Sequence, residues 1–186
     1  MDSVYVSRGG TKLKEALDRF KIEVKDYVVL DVGSSTGGFV DCLLKEGASK
    51  VYSLDTAYGE LAWKLRQDKR VVLLERTNIL HLDKLPEQVD LVTIDVTFTS
   101  LVKILPIIKK FLKDNGKVVA LVKPQYEDQE AALKNKGISP VELHDEILKK
   151  VIDSATNLGF ANSGLIDSPI LGGAGNKEYL LYLNNK

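Results

Sequence analysis

Short apolar runs alternate along the chain with stretches in which apolar residues return every third or fourth position. Leu13, Ala16, Leu17 and Phe20 follow the spacing of one helical face, which predicts a first helix from about Gly10 to Phe20, ahead of any strand. Tyr27-Val28-Val29-Leu30 is then a β-branched run that ends in Asp31 and a glycine-rich turn, with helical spacing resuming through Phe39, Cys42, Leu43 and Leu44. The same strand, turn and helix unit returns as Lys50 to Asp55 with a helix around Leu61 to Leu65, and as Val71 to Leu74 with a short connection. It returns again as Asp90 to Asp95 with a helix from Leu101 to Leu112, and Gly116-Lys117 opens a fifth strand, Val118 to Val122.

The second half of the chain is less regular. Tyr126 to Lys136 is charged and without apolar period, so it is predicted to be a mobile loop. Ser139-Pro140-Val141-Glu142 has the form of a capping box with proline at the first helical position. The helix that follows carries Leu148, Val151, Ile152 and Ala155 and is expected to end at Gly159. Two more strands fit Asn162 to Ile166 and Glu178 to Leu183, with Gly172 to Gly175 as a flexible loop before the last. Alternating strands and helices of this kind require a mostly parallel sheet, here of seven strands, with helices on both faces. The strands are continuously apolar, as doubly covered strands should be.

Composition narrows this α/β reading. A chain of 186 residues with 44% hydrophobic content supports one well-buried core, so a single domain is expected over 1–186. No run of about 18 apolar residues exists to span a membrane. The first residues lack the basic start and apolar stretch of a signal peptide, which makes the cytoplasm the default. Cys42, the only cysteine, falls in an apolar helical pattern and is expected to be a buried hydrophobe. With 26 basic and 26 acidic residues the molecule has no overall field to steer it onto nucleic acid, so an RNA site must be a local patch. Lys64, Arg66, Lys69 and Arg70 form one candidate cluster, and Lys109, Lys110 and Lys113 another, although such clusters are usually solvated helix faces.

The segment Asp31-Val32-Gly33-Ser34-Ser35-Thr36-Gly37-Gly38-Phe39 is a nucleoside-cofactor loop, because glycines between a strand and a helix let backbone N–H groups approach a ligand. A phosphate-binding P-loop would end in Gly-Lys-Ser/Thr, whereas this loop ends in Gly37-Gly38-Phe39. A dinucleotide fold would have Gly-x-Gly-x-x-Gly, whereas the residue two beyond Gly33 is Ser35. Asp55, at the end of the second strand, is placed to accept from ribose hydroxyls, unless Asp31 and Asp55 merely cap the loop and a helix. The spacing resembles the first two motifs of class I S-adenosylmethionine-dependent methyltransferases. Asp95 and Lys123 end the fourth and fifth strands, where the carboxyl ends of an open α/β sheet face the ligand crevice, and they are either catalytic or a simple ion pair.

The resemblance becomes specific in five strings: Val6-Ser7-Arg8-Gly9-Gly10-Thr11-Lys12-Leu13, Asp31 to Phe39, Tyr58 to Leu65, Leu121-Val122-Lys123-Pro124-Gln125, and Gly175-Asn176-Lys177-Glu178-Tyr179-Leu180. Together they look like the hemolysin A (TlyA) family of FtsJ-like RNA methyltransferases. The resemblance implies the Rossmann-like class I methyltransferase fold, and S-adenosylmethionine bound by Asp31, Gly33, Ser34, Ser35, Thr36, Gly37, Gly38, Phe39, Asp55, Asn78 and Asp95. It also implies a Lys-Asp-Lys-Glu tetrad on Lys12, Asp95, Lys123 and Glu178, and methyl transfer to a ribose 2′-hydroxyl of ribosomal RNA, on cytidine.

In these roles Lys123 serves the nucleophile either as a base or as a cation that stabilises the developing oxyanion. Asp95 orients Lys123 and the cofactor, Glu178 holds the lysines, and Lys12 positions the substrate. Members of the family usually carry an S4-type RNA-binding domain before the Val-Ser-Arg-Gly-Gly string, and only five residues precede Val6 here. The chain is therefore expected to be a fragment or a shortened member, with residues 1–6 a linker remnant and weak RNA affinity alone. Ribosomal RNA or a ribosomal subunit is the expected partner.

Trp63 and Tyr58 are expected in the core rather than on adenine, and Phe98 either at the substrate entrance or under a strand end. His81 and His144, with no cysteine pair, support no metal site. The rivals to an enzyme are a catalytically weak accessory protein that binds cofactor and RNA, and a membrane-acting hemolysin. The latter would need an apolar span, a strongly amphipathic basic helix or barrel strands, none of which is evident.

Overall fold

The computed structural model describes residues 4–186. A helix, α1 (Gly9–Arg19), precedes the alternating units β1 (Val28–Val32), α2 (Gly38–Lys45), β2 (Lys50–Leu54), α3 (Trp63–Arg66) and β3 (Val71–Leu74). They are followed by β4 (Val89–Ile94), α4 (Leu101–Lys109), β5 (Leu112–Val122), α5 (Pro124–Glu127), α6 (Gln129–Lys134), α7 (His144–Asn157), β6 (Phe160–Asp167) and β7 (Tyr179–Asn185). The sheet has the order β3-β2-β1-β4-β5-β7-β6. Neighbours from β3 to β5 are parallel, and β7 runs antiparallel between β5 and β6. The expected seven-stranded, mostly parallel sheet is the one observed.

Each strand sends alternate residues to opposite faces. Leu30 and Val32 of β1 join Val92 and Ile94 of β4 and Val118, Ala120 and Val122 of β5 in the core under α4 and α7. Val29, Leu91, Val119 and Leu121 face the other way, into the core under α1 and α2. This alternation through continuously apolar strands covers the sheet on both sides. Cys42 is fully buried in the second core, and burial raises its thiol pKa to about 12. The strand order reverses at β1, which pairs with β2 on one side and β4 on the other, and a crevice opens there at the strands' carboxyl ends.

Several local expectations give way to tertiary contacts. The fourth helix stops at Lys109 rather than Leu112, because Phe111 accepts from the Val89 amide and Leu112 pairs with Val89 at the start of β5. The stretch predicted as a loop over Tyr126 to Lys136 folds into α5 and α6, the second capped by Asp128, whose side chain accepts from the Ala131 amide. No capping box forms at Ser139. A 3₁₀ turn over Val141–Leu143 precedes α7, and the Ser139 side-chain oxygen is buried without a partner. Tyr58 and Trp63 are 65% and 74% exposed instead of core, because the single turn of α3 commits only its Leu65 side, with Leu61, to the interior. Of the expected linker, residues 1–3 lie outside the described residues. Tyr5 is buried in the second core, and the Val6 amide donates to Asp41 Oδ2 at 2.9 Å.

Helices α1 and α2 pack with their N-termini in contact. A Cβ added to Gly38 would lie 2.3 Å from Ser7 Oγ and 2.8 Å from the Gly10 backbone nitrogen. Gly38→Ala is therefore expected to lower stability by about 1–3 kcal/mol through overpacking. Urea denaturation would show this as an earlier midpoint at unchanged slope, and an unchanged midpoint would refute the packing assignment.

Candidate active site

Two adjoining cavities occupy the crevice at the carboxyl ends of β1 and β4. The larger, about 460 Å³, is lined by Asp55, Asn78, Ile79, Val96 and Phe98 among others, and the smaller, about 190 Å³, by Ser7, Ser34, Thr36, Phe39 and Lys123 among others. Gly33, Ser35, Asp95 and Thr97 line both, so the two spaces share a wall.

The loop after β1 takes its shape from the end of β2. Amides of Gly33 and Ser34 donate to the Leu54 carbonyl, and the Ser34 hydroxyl donates to the Asp31 carbonyl. Gly33 adopts φ 87°, and a Cβ there would lie 2.3 Å from the Asp95 carbonyl oxygen, so only glycine lets the loop lie this close to β4. Asp55 accepts the Ser35 amide at 2.7 Å on one carboxylate oxygen and the Ala57 amide at 2.8 Å on the other. Each oxygen retains a lone pair for a further donor. Asn78 accepts the Leu80 amide on its side-chain oxygen. Phe39 belongs to the core and presents only part of its ring to the smaller cavity. Gly37 lines neither cavity. It packs against Leu61 and Leu65.

Asp31 also lies behind the cavity wall. Its Oδ1 accepts from the Thr93 hydroxyl at 2.6 Å, while its Oδ2 is buried with no hydrogen-bond partner among the described residues. Loss of solvation is the main cause that raises its pKa to about 7. The Thr93 hydroxyl, which donates to the carboxylate, and the nearby Ser34 hydroxyl oppose the rise, and the Asp95 and Asp55 charges add to it.

Strand alternation puts Asp95, Lys123 and Glu178 on one face, and α1 brings Lys12 to it. Asp95 and Lys123 each follow the last residue of a strand, in phase with Leu91 and with Val119 and Leu121, and so lie on the α1 side of the sheet. The antiparallel register of β5 with β7 ends at Val122 opposite Tyr179, which sets Lys123 beside Glu178 one step further on. Lys12 reaches the same place from α1. Lys123 Nζ is 2.7 Å from Asp95 Oδ1, and Lys12 Nζ is 2.6 Å from Glu178 Oε2, with Lys12 and Glu178 only 8% and 2% exposed. Gly172 lies on the Glu178 carboxylate so closely that a Cβ would come within 1.9 Å of Oε1. The loop Gly172 to Gly175 is thus an ordered turn against the site, closed by a hydrogen bond from the Gly172 amide to the Asn176 carbonyl.

The structure thus brings together Lys12, Asp95, Lys123 and Glu178, and places Gly33, Ser34, Ser35, Thr36, Gly38, Asp55 and Asn78 along the cavities. Ser7 and Thr97 line the crevice and Thr93 holds Asp31, and none of the three was singled out from sequence. The nearest signal was proximity, since Ser7 sits in the Val-Ser-Arg-Gly-Gly string and Thr97 two residues beyond Asp95. In the first basic cluster Lys64 pairs with Asp41, Arg66 with Glu75 and Arg70 with Asp68, while in the second Lys113 pairs with Asp90 and Lys109 donates to the Leu158 carbonyl. His81 is exposed, and His144 is buried with its ring bonded to Tyr179 and the Ser139 carbonyl. No group of metal-binding side chains occurs among the described residues, and no helix there is long and apolar enough to cross a membrane.

Comparison with known proteins gives the family. The profile of the FtsJ-like methyltransferase family matches residues 5–185. A protein of Bacillus subtilis (strain 168) named as a candidate rRNA methyltransferase, YqxC, is 46% identical over 184 residues, covering 97% of this chain and 66% of that protein. The 16S/23S rRNA (cytidine-2′-O)-methyltransferase TlyA of Mycobacterium tuberculosis is 40% identical over 192 residues, covering 100% of this chain and 70% of its own length. A crystal structure of a candidate hemolysin from Lactococcus lactis superposes with a TM-score of 0.94 at 45% identity, over 98% of this chain and 89% of that one. The chain spans about two thirds of the length of the curated relatives it matches.

A raised carboxyl pKa means that the folded state binds the proton more tightly than the unfolded state. The stabilisation from Asp31 is fully present below the unfolded value of about 3.9 and is lost as pH rises through about 7, with a slope of at most ~1.4 kcal/mol per pH unit. Asp31→Asn should remove this component, so the variant should gain on the parent protein between pH 5 and pH 8 in urea denaturation without ligand. Parallel pH profiles would contradict the assignment.

Proposed function

The chain belongs to the FtsJ-like methyltransferase family, and on that premise we propose that it transfers a methyl group from S-adenosylmethionine to a ribose 2′-hydroxyl, of cytidine, in ribosomal RNA. The observation that carries this reading is the pair of lysine–carboxylate contacts, Lys123–Asp95 and Lys12–Glu178, set beside a glycine-rich nucleoside loop. An rRNA substrate also implies a cytoplasmic location.

The residues fit the cofactor. Asp55 keeps free lone pairs at the larger cavity, where Asn78, Ile79 and Val96 offer one polar group and an apolar bed, as a nucleoside needs. The loop Gly33 to Gly38 borders the smaller cavity, and the orphaned Asp31 Oδ2 behind it favours a cation nearby. When bound, S-adenosylmethionine supplies a methyl group made electrophilic by a positive sulfonium.

The chain's own groups then act on the ribose. A sugar hydroxyl is a poor nucleophile at neutral pH, and its oxygen gains negative charge as it bonds to the methyl carbon while the carbon–sulfur bond breaks. Lys123, held by Asp95, presents N–H donors to that oxygen. Its contact with the Asp95 carboxylate suits a role as a positioned cation that stabilises the developing charge, and the hydroxyl proton leaves to solvent. Asp95 orients Lys123 at the junction of the two cavities. Lys12, buried and neutralised by Glu178, contributes a fixed dipole on the same face of the sheet and positions the sugar.

Lys123→Ala should lower tritiated-methyl transfer to ribosomal subunits or naked rRNA by about 100-fold or more, while calorimetry still detects S-adenosylmethionine with affinity within a few-fold of the parent. Asp55→Ala should do the reverse at saturating RNA, chiefly weakening cofactor binding. Intact turnover in Lys123→Ala would overturn the proposed role.

A further inference from the structure

A third cavity, of about 260 Å³, shares the Phe98 wall with the larger cavity of the crevice, and the proposed reaction leaves it without a task. Its walls include Phe98, Tyr126, Ala132, Leu133 and Asn176, and its mouth is apolar, with Phe98 76% and Leu133 79% exposed. The Phe98 and Tyr126 rings pack at 5.0 Å, and Lys123 Nζ lies 5.8 Å from the centre of the Tyr126 ring, so an aromatic wall of the cavity separates it from Lys123.

One polar group in the walls is unexplained. Gln125 is 6% exposed, and its side-chain oxygen is buried with no hydrogen-bond partner among the described residues. A buried carbonyl in that condition is unfavourable, and such groups persist where a ligand completes them.

The walls are also held in place. Asn176 accepts the Ser139 amide at 2.9 Å and donates to the carbonyls of Gly137 and Gly173, tying both sides of the cavity together. Glu127 accepts the Leu101 amide and the Ser100 hydroxyl, fixing α5 to the segment that carries Phe98. Phe98 itself sits at φ 61°, a conformation rare for a bulky residue, and Gln129 donates to its carbonyl. Backbone strain retained in a braced segment at the edge of a crevice is typical of ligand-contacting positions.

A flat ring that enters an apolar, aromatic-walled space and must satisfy one buried acceptor is a nucleobase with an amino group on its pairing edge. We propose that this cavity receives the base of the target nucleotide, turned out of its stack, and that Gln125 selects cytosine over uracil by accepting a hydrogen bond from the exocyclic amino group. The proposal rests on the methyl-transfer reading above and deepens it. Cytosine presents an amino donor where uracil presents a carbonyl oxygen, so uracil would set two acceptors against each other. A site built to hydrogen-bond a substrate N–H discriminates strongly against an analogue that lacks it. The base would be read while its ribose lies beside Lys123. Gln125 is then a specificity-determining residue rather than part of the methyl-transfer machinery.

The test uses 16S and 23S rRNA transcripts, S-adenosylmethionine and the full 186-residue chain. The methylated nucleotide is mapped first, and matched transcripts carrying cytidine or uridine at that position are then compared by kcat/KM. The parent protein should favour cytidine by about tenfold or more. Gln125→Glu, which keeps an acceptor, should retain that preference, and Gln125→Leu should reduce it to within about threefold without lowering turnover of the uridine transcript. Because the readout is a ratio, a general loss of folding or activity would not mimic the result. A Gln125→Leu protein with the parent's cytidine preference would overturn the proposal, as would a parent protein indifferent to the base. Failure of the parent protein to methylate any transcript would instead reject the methyl-transfer reading on which this one rests.

Discussion

The contact between Lys12 and Glu178 joins residues 166 positions apart and removes both charges from water. Either charge buried alone would be strongly unfavourable, since breaking such a pair typically destabilises a protein by about 3–5 kcal/mol. The first helix and the last strand must therefore reach their places together. Their meeting closes the α1 face of the sheet over the ends of β4 and β5, where Asp95 and Lys123 form the second pair. The site is in this sense a by-product of how the fold closes.

The direction of the last strand decides where that closure occurs. In a sheet of parallel strands the functional edge is the carboxyl edge, and a parallel seventh strand would bring its last residues there. Because β7 runs antiparallel between β5 and β6, its beginning lies at that edge, and the residue just before it is Glu178. Alternation along the strands does the rest. Asp31, Asp95, Lys123 and Glu178 all stand in phase with the residues that pack under α1 and α2, so four ionisable groups from four strands share one face without any loop having to place them.

Three departures from local preference lie at this edge. Asp31 carries a buried oxygen without a partner and a pKa raised to about 7, Gln125 a buried carbonyl without one, and Phe98 a left-handed backbone. Strained or unsatisfied groups are expected where a ligand rather than the fold completes the environment.

Much of this was legible in the chain itself, because it depends on short-range periodicity. The apolar spacing determined the strand and helix units, the loop from Asp31 to Phe39 excluded a phosphate-binding P-loop and weakened the dinucleotide reading by its spacing, and the positions of Asp95 and Lys123 at strand ends marked the crevice. Local pattern was misleading where a contact distant in sequence overrode it. Phe111 and Leu112 turned out of a helix to pair with β4, Ser139 gave its amide to Asn176 instead of capping a helix, and Trp63 faced outward because α3 is one turn long. Periodicity specifies which face a residue takes, and so the sequence by itself determined the fold class, the glycine-rich loop at the crevice and the residue types gathered beside it. Which lysine meets which carboxylate, and that Gln125 is left without a partner, were decided only by tertiary structure, since pairing and burial depend on strand direction and register across the whole sheet.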